Sequence, residues 1–331
     1  MKEDKFINLI KSLLPESSAY IGDDTAYIAE KDLILTQDTL IEDVHFRKST
    51  ISPYDLGMKA IAVNLSDIAA AGGIPAYILI SLSLPQDINE DFVEEFYRGV
   101  KYISQKYGVL IVGGDLTRAD KITISIAMMG FGNGITPTKR SYAKVGDFVI
   151  TTGESGSSAT GLWLLETQLN SPNLIKDIPK DISDKFIKTH INPIPRLAEG
   201  RTIVSSCKTP PALMDTSDGL ADALYKICLQ SNVSMEINFE DIPVDKDLYT
   251  IAQIAEINPL KWIFYGGEDY QLVGTVSKEC LEKLAEQQMS IRVIGRVIES
   301  NNNPSAYVKV NNDIITINSS SLNTEAFKHF I

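Results

Sequence analysis

Residues 53–84 read PYDLGMKAIAVNLSDIAAAGGIPAYILISLSL. Pro53 stands where proline opens a helix, and the Ala-rich run predicts a long helix to about Ala71. Gly72-Gly73 ends it, and Ile74-Pro75 leads into a strand from Tyr77 to Leu84. Upstream, residues 20–46 read as a turn, a strand centred on Leu33–Thr36, and a further turn. Downstream, Phe92, Val93, Phe96, Val100 and Ile103 give an apolar face to a helix from about Asn89 to Tyr107. Strands Val109–Val112 and Ile122–Met129 follow, then a Gly-rich turn over 130–137. A strand over Asp147–Thr152 runs into Gly153–Ser158 and a helix to about Leu169. The polar stretch Asn170–Asp184 reads as a loop. Then come a short helix (Arg196–Ser205), a strand (Ala212–Met214) and a helix from Asp218-Gly219 to Gln230. Strand and helix alternate from there to about Val310. The two halves do not repeat one βαβ unit. A mixed α/β (α+β) fold with antiparallel pairs is expected over a doubly wound one, with domains at 1–145 and 146–331.

The chain has 331 residues, enough for about two domains. Acids outnumber bases 43 to 31, a formal net charge of −12, which argues against nucleic acid as a partner. A phosphorylated ligand would need metal ions or local positive groups. Phe6, Leu9, Ile10, Leu13 and Leu14 fall at helical spacing, giving an amphipathic first helix and no signal-peptide pattern. No apolar run approaches membrane-spanning length, so a soluble cytoplasmic protein is expected. Cys207, Cys228 and Cys280 form no CxxC pair and read as neither a disulfide framework nor a zinc site.

No Walker loop, GxGxxG, kinase HRD or DFG motif, or GxSxG elbow occurs. GESGSSATG (153–161) opens a helix and reads either as an anion-binding turn or as an ordinary Ser-capped loop. The recurring feature is aspartate beside glycine or at strand ends: Asp23-Asp24, Asp38, Asp67, Asp115, Asp215, Asp218 and Glu268-Asp269. Asp67 is the one acid between Leu56 and Pro75, where an apolar helix makes an unpaired carboxylate costly unless it faces solvent. Asp215 and Asp218 alone also read as helix caps, and Asp115 as a turn residue. Together these carboxylates, with few His or Cys, suit a hard cation, Mg²⁺ rather than zinc. Mg²⁺ with few protein ligands points to phosphate chemistry. Arg118, Lys139-Arg140 and Arg196 are the candidate phosphate partners.

Taken in order, GDDTA (22–26), QDTL (37–40) with His45-Phe46, KAIAVNLSDIAA (59–70), GGDLTR (113–118), Arg140-Ser141, DTSDGL (215–220) and GGEDYQL (266–272) resemble thiamine-monophosphate kinases. That family lies within the PurM-like, or aminoimidazole ribonucleotide synthetase, superfamily. The resemblance runs from about Gly22 to the C-terminus. It implies a two-domain PurM-like fold and a homodimer joined through the N-terminal domains. It also implies transfer of the ATP γ-phosphate to thiamine monophosphate. By motif, Asp24, Thr36, Asp38, Asp67, Asp115, Asp215 and Asp218 would hold several Mg²⁺ ions. Gly114, Asp115, Arg140 and Ser217 would contact ATP, and His45, Glu268 and Phe327 the thiamine moiety. Three positions depart from the pattern: Gln37 and Leu116 replace hydroxyl residues, and Ser155–Ser158 replaces a Gly-Asp-Ser run.

The acceptor is itself an ionised phosphate, so neither a covalent nucleophile nor a general base is expected. The barrier is like-charge repulsion, which metal ions would offset. Two rivals remain. A selenophosphate or aminoimidazole ribonucleotide synthetase shares the superfamily, but the former carries an N-terminal reactive Cys and here the first is Cys207. A non-enzymatic nucleotide or thiamine-phosphate binder would consume no ATP.

Overall fold

The computed structural model describes the backbone of residues 2–325 and the side chains of 5–325. Phe327 lies outside the described residues. After helix α1 (Lys2–Leu13), the first half builds strands β1 (Ala26–Ile28), β2 (Leu33–Ile41), β3 (Ile74–Leu84), β4 (Leu110–Arg118) and β5 (Thr123–Phe131). Helices α2 (Pro53–Ala70) and α3 (Glu90–Tyr107) lie between them in sequence. The sheet order is β1-β2-β5-β3-β4, antiparallel except for the β3–β4 pair, which α3 connects as a parallel crossover.

Period-2 alternation sends Ile78, Ile80 and Leu82 of β3 into the core beneath the helices. The opposite face carries exposed Tyr77 and Leu79, and all nine residues of the edge strand β4 are exposed. The GGD segment was expected to be a turn after a short strand. It is instead the middle of β4, paired with Ile80 and Ser81. Glycine is required there because a Cβ on Gly114 would stand 1.9 Å from the Ile80 carbonyl oxygen.

The second half has a seven-stranded sheet. Its strands are β6 (Phe148–Thr151), β7 (Ala212–Asp215), β8 (Val233–Asn238), β9 (Leu272–Val276), β10 (Arg292–Glu299), β11 (Ala306–Val310) and β12 (Asp313–Ile317). Their order is β12-β11-β8-β10-β6-β9-β7, and only β8–β11 is parallel. The helices are α4 (Ser157–Asn170), α5 (Lys180–Ile191), α6 (Leu197–Ser206), α7 (Leu220–Ser231), α8 (Lys246–Ile254), α9 (Pro259–Tyr265), α10 (Lys278–Glu286) and α11 (Ser319–Glu325). The polar stretch expected as a loop to Asp184 already turns helical at Lys180, because Ser183, Phe186 and His190 give α5 a buried face. The sheets are mixed in both halves, as the element order requires.

Helix α2 holds the two halves together. The Ser52 hydroxyl caps it by accepting from the Asp55 amide at 3.1 Å, and Pro53 fills its first turn. It is buried along almost its whole length, from Leu56 to Ala70. A helix apolar on all sides belongs inside a core. Beyond it, Thr138 donates to the Ala70 carbonyl at 2.8 Å, and Gly200 of α6 lies against Ala69. Helices α2 and α3 cross closely enough that a Cβ on Gly99 would lie 1.9 Å from the Tyr54 carbonyl oxygen.

The cysteine expectation is corrected. Cys207, just past α6, and Cys280 in α10 are disulfide-bonded, with Cα atoms 4.8 Å apart, while Cys228 is free and buried. A separation of 73 residues leaves no local pattern to announce such a pair. The cysteine count therefore says nothing about compartment. Gly99→Ala is expected to force α2 and α3 apart and cost about 1–3 kcal/mol, the range for overpacking. Chemical denaturation with circular dichroism would measure it, and an unchanged midpoint would refute the tight crossing.

Candidate active site

Strand β2 runs alongside α2, so the two present a ladder of polar groups to a cleft between the halves. Thr36 donates its hydroxyl to the Asp67 carboxylate. Two residues on, the Asp38 amide donates to Asn64 Oδ1 at 3.2 Å. Alternation puts Thr36 and Asp38 on the helix side of β2 and Gln37 on the other, where Gln37 Nε2 donates to Ser125 Oγ at 3.2 Å. The Gln37 departure thus lies off the cluster.

Asp24, Asp67 and Asp215 come together: one ligand oxygen of each lies within 4.8 Å of the others. Asp24 comes from the segment before β1, Asp67 from α2 and Asp215 from the end of β7, so both halves of the chain contribute. Asp215 is 1% exposed. It accepts from Ser66 Oγ at 2.6 Å on one oxygen and from Ser217 Oγ at 2.8 Å on the other. Burial pushes the Asp67 carboxyl well above the usual carboxylate range, with Asp38, Asp215 and Asp24 adding to the rise and the Thr36 hydroxyl opposing it. Burial, then Asp218 and Asp24, raise Asp38 to about 6. Burial and Asp24 raise Asp215 to about 7 against its two serine donors. Four carboxylates in one poorly hydrated volume repel one another, and a cation relieves that repulsion. The donors are all oxygen, which fits Mg²⁺.

Two other expected ligands are placed differently. Asp218 is half exposed, and its carboxylate meets Lys226 Nζ at 3.2 Å. Lys226 also pairs with buried Asp222 at 2.7 Å. Asp115 sits on β4, three strand spacings from β2, or about 14 Å, so one chain does not bring Gly114 and Asp115 to the cluster. Arg140, expected at ATP, is pinned by its own neighbours. Its guanidinium pairs with Asp24 and donates to the Gly22 carbonyl at 3.0 Å, while its amide donates to Asp23 Oδ1 at 2.9 Å.

The turn that opens α4 does not await an external anion. Asp269 accepts from the Gly156 amide at 2.6 Å and the Ser158 amide at 2.8 Å, so the carboxylate that fills it comes from this chain.

A second group surrounds Glu268. Residues 266–270 pack on the 215–219 loop, with the Glu268 amide donating to the Ser217 carbonyl at 2.7 Å. Glu268 and Tyr270 both hold left-handed backbone, φ 66° and 48°. Such strain persists only where the surroundings impose it. Lys59 Nζ lies 3.0 Å from Glu268 Oε1, and His190 Nδ1 lies 3.5 Å from Oε2 and 3.0 Å from Ser158 Oγ. Despite burial, Lys59, His190 and His45 hold the Glu268 carboxyl below its usual range. Burial, then Lys59, push His190 down to about 4, so it is neutral at pH 7. His45 Nδ1 accepts from the Ile41 amide at 3.0 Å. Burial, then Glu268, Asp38, Asp215 and Asp67, raise the Tyr270 phenol well above its usual value.

Sequence reasoning missed Lys59, His190, Tyr270, Asp222 and Lys226. A signal existed for Lys59: with Ser66 and Asp67 it forms an i, i+7, i+8 stripe on an otherwise apolar helix.

Two family models match this chain: the N-terminal domain of AIR synthase related proteins over residues 22–132, and the C-terminal domain over 144–306. The thiamine-monophosphate kinase of Bacillus subtilis (strain 168) is 39% identical over 310 residues, covering 89% of this chain and 92% of its own. That of Aquifex aeolicus (strain VF5) is 38% identical over 275 residues, covering 82% and 85%. A solved structure of AaThiL complexed with AMPPCP and TMP superposes with a TM-score of 0.81 at 34% identity, covering 96% of this chain and 98% of that one.

Mg²⁺ at a hundredfold its Kd is expected to raise unfolding stability by about 2.7 kcal/mol through linkage. Asp67→Asn should lose most of that gain, yet be no less stable than the unsubstituted chain in EDTA, because it removes one repelling charge. Thermal unfolding with and without the ion measures both. An undiminished Mg²⁺ response would remove Asp67 from the site.

Proposed function

The chain belongs to the thiamine-monophosphate kinase family, and we infer that it transfers the γ-phosphate of ATP to thiamine monophosphate, giving thiamine diphosphate. The observation that carries this in the chain's own geometry is the Asp24–Asp67–Asp215 group, assembled from both halves of the chain. A site that must bring two phosphorylated molecules together needs its negative groups organised around cations, and these residues suit that need.

In the mechanism we propose, Asp24, Asp67 and Asp215 would hold Mg²⁺, with Thr36, Asp38 and Asp218 adjoining. When bound, the ion would neutralise the phosphate oxygens that must approach one another. Thr36, Ser66 and Ser217 orient carboxylates through their hydroxyls, so the ligand oxygens are set before any ligand arrives. Arg140 fixes Asp24 and, with Ser217 and Gly114, is assigned to the ATP side. His45, Glu268 and Phe327 are assigned to the thiamine moiety. The attacking oxygen is already ionised at neutral pH, so no side chain needs to take its proton. Transfer is direct and in line, with no phosphoenzyme.

We also propose a homodimer through the exposed edge of the first sheet, strand β4 with the neighbouring Leu79. Leu79, Leu110, Ile111, Val112 and Leu116 are all exposed there, 41% to 68%. An apolar edge strand exposed along its whole length is an association surface. Any role of Gly114 and Asp115 at ATP then depends on a second copy covering that strand. We propose that it works in the cytoplasm, where ATP is supplied. No described helix is long and apolar enough to cross a membrane.

ATP consumption should depend on thiamine monophosphate, and a chiral γ-thiophosphate should transfer with inversion at phosphorus. Retention would replace direct transfer with a two-step route. Leu116→Glu should halve the mass measured by light scattering, and an unchanged mass would place the interface elsewhere.

A further inference from the structure

Lys59 is 1% exposed, a burial that ammonium groups reach only when paired. Its ion pair among the described residues is with Glu268 Oε1, at 3.0 Å. The other carboxylate oxygen faces His190 at 3.5 Å. Yet the Glu268 side chain keeps 25% exposure, so it is held from behind and open in front. A fully buried lysine that served only the fold would be costly, because an apolar side chain of similar volume packs there without desolvating a charge. Lys59 also stands eight residues before Asp67, or about 12 Å along α2, which puts it at the far end of the cleft from the metal ligands.

We propose that Lys59 is a positioning residue that fixes the Glu268 carboxylate as a directional hydrogen-bond acceptor for the amino group on the ring system of the phosphate acceptor. This rests on the assignment of Glu268 to the thiamine moiety made above. The geometry favours an N–H donor over the ring cation as the group recognised. Lys59 cancels the Glu268 charge at 3.0 Å, so the pair presents little net field to a cation, while a pinned carboxylate keeps its lone-pair direction. Lys59 touches no reacting atom. Its effect on the acceptor passes through Glu268.

Steady-state kinetics of Lys59→Met, Glu268→Gln and the double variant test this, with thiamine monophosphate and ATP each varied. Lys59→Met is expected to raise the KM for thiamine monophosphate about tenfold or more, with kcat and the KM for ATP held within about threefold. In the Glu268→Gln background it should add nothing, the mark of a residue acting through another. If Lys59→Met alone strands a carboxylate and fails to fold, the double variant, which removes both charges, carries the test against Glu268→Gln. Equal KM values support the proposal, and a further tenfold rise overturns it. If Glu268→Gln leaves the KM unchanged, the assignment of Glu268 falls and the proposal with it. If Glu268→Gln raises the KM and Lys59→Met does not, the proposal alone falls. An acceptor whose ring amine is replaced by oxygen separates hydrogen bonding from charge. The unsubstituted protein should discriminate against it and Lys59→Met should not, and equal use of both by the unsubstituted protein overturns the directional reading.

Discussion

Repulsion among carboxylates that share one poorly hydrated cleft is the constraint from which the rest of this structure follows. Asp24, Asp38, Asp67 and Asp215 each raise the energy of ionising another. A chain that places them together must hold them in place, and three of the four are held from different directions. Arg140 takes Asp24, Thr36 takes Asp67, and Ser66 with Ser217 takes Asp215. These contacts join the segment before β1, strand β2, helix α2 and the 215–219 loop. The polar site is therefore also the seam between the two halves, and its geometry depends on both being folded.

The same logic explains what surrounds the seam. Helix α2 tolerates Asp67 because the rest of its surface is apolar and closely packed. Glycines at the α2–α3 crossing and against α6 remove the side chains that would hold its neighbours off. At the other end of the cleft the solution differs. Glu268 meets a buried ammonium and a neutral imidazole, so that end is balanced by the protein itself. One cleft thus holds an unbalanced cluster suited to metal-bound phosphates and a balanced pair suited to an organic ring.

The sequence made much of this legible, for local reasons. Pro53 and the double glycine bounded α2, and aspartates beside glycines marked the cleft. What it hid was long-range. Nothing near Cys207 pointed to Cys280, 73 residues away. Asp269 filling the α4 turn needed the 266–270 loop to come alongside it, which no local pattern announces. The GGD stretch looked like a turn because glycine pairs usually are. Here the glycines let β4 press against β3 without side chains between them. Lys59 went unseen because a lone lysine in a helix is ordinarily solvated, and only its burial against Glu268 makes it part of the site.

Lys59 and Asp67 ride on one helix, and that has a geometric outcome. The separation between the two ends of the cleft is set by helical rise, and it changes only if a rod packed on nearly every side bends. Such a rod is a gauge. Molecules that present the right groups at both ends but at another spacing fail to register with it, and no dedicated residue is needed to turn them away. Selection by length comes built into a helix packed on nearly every side.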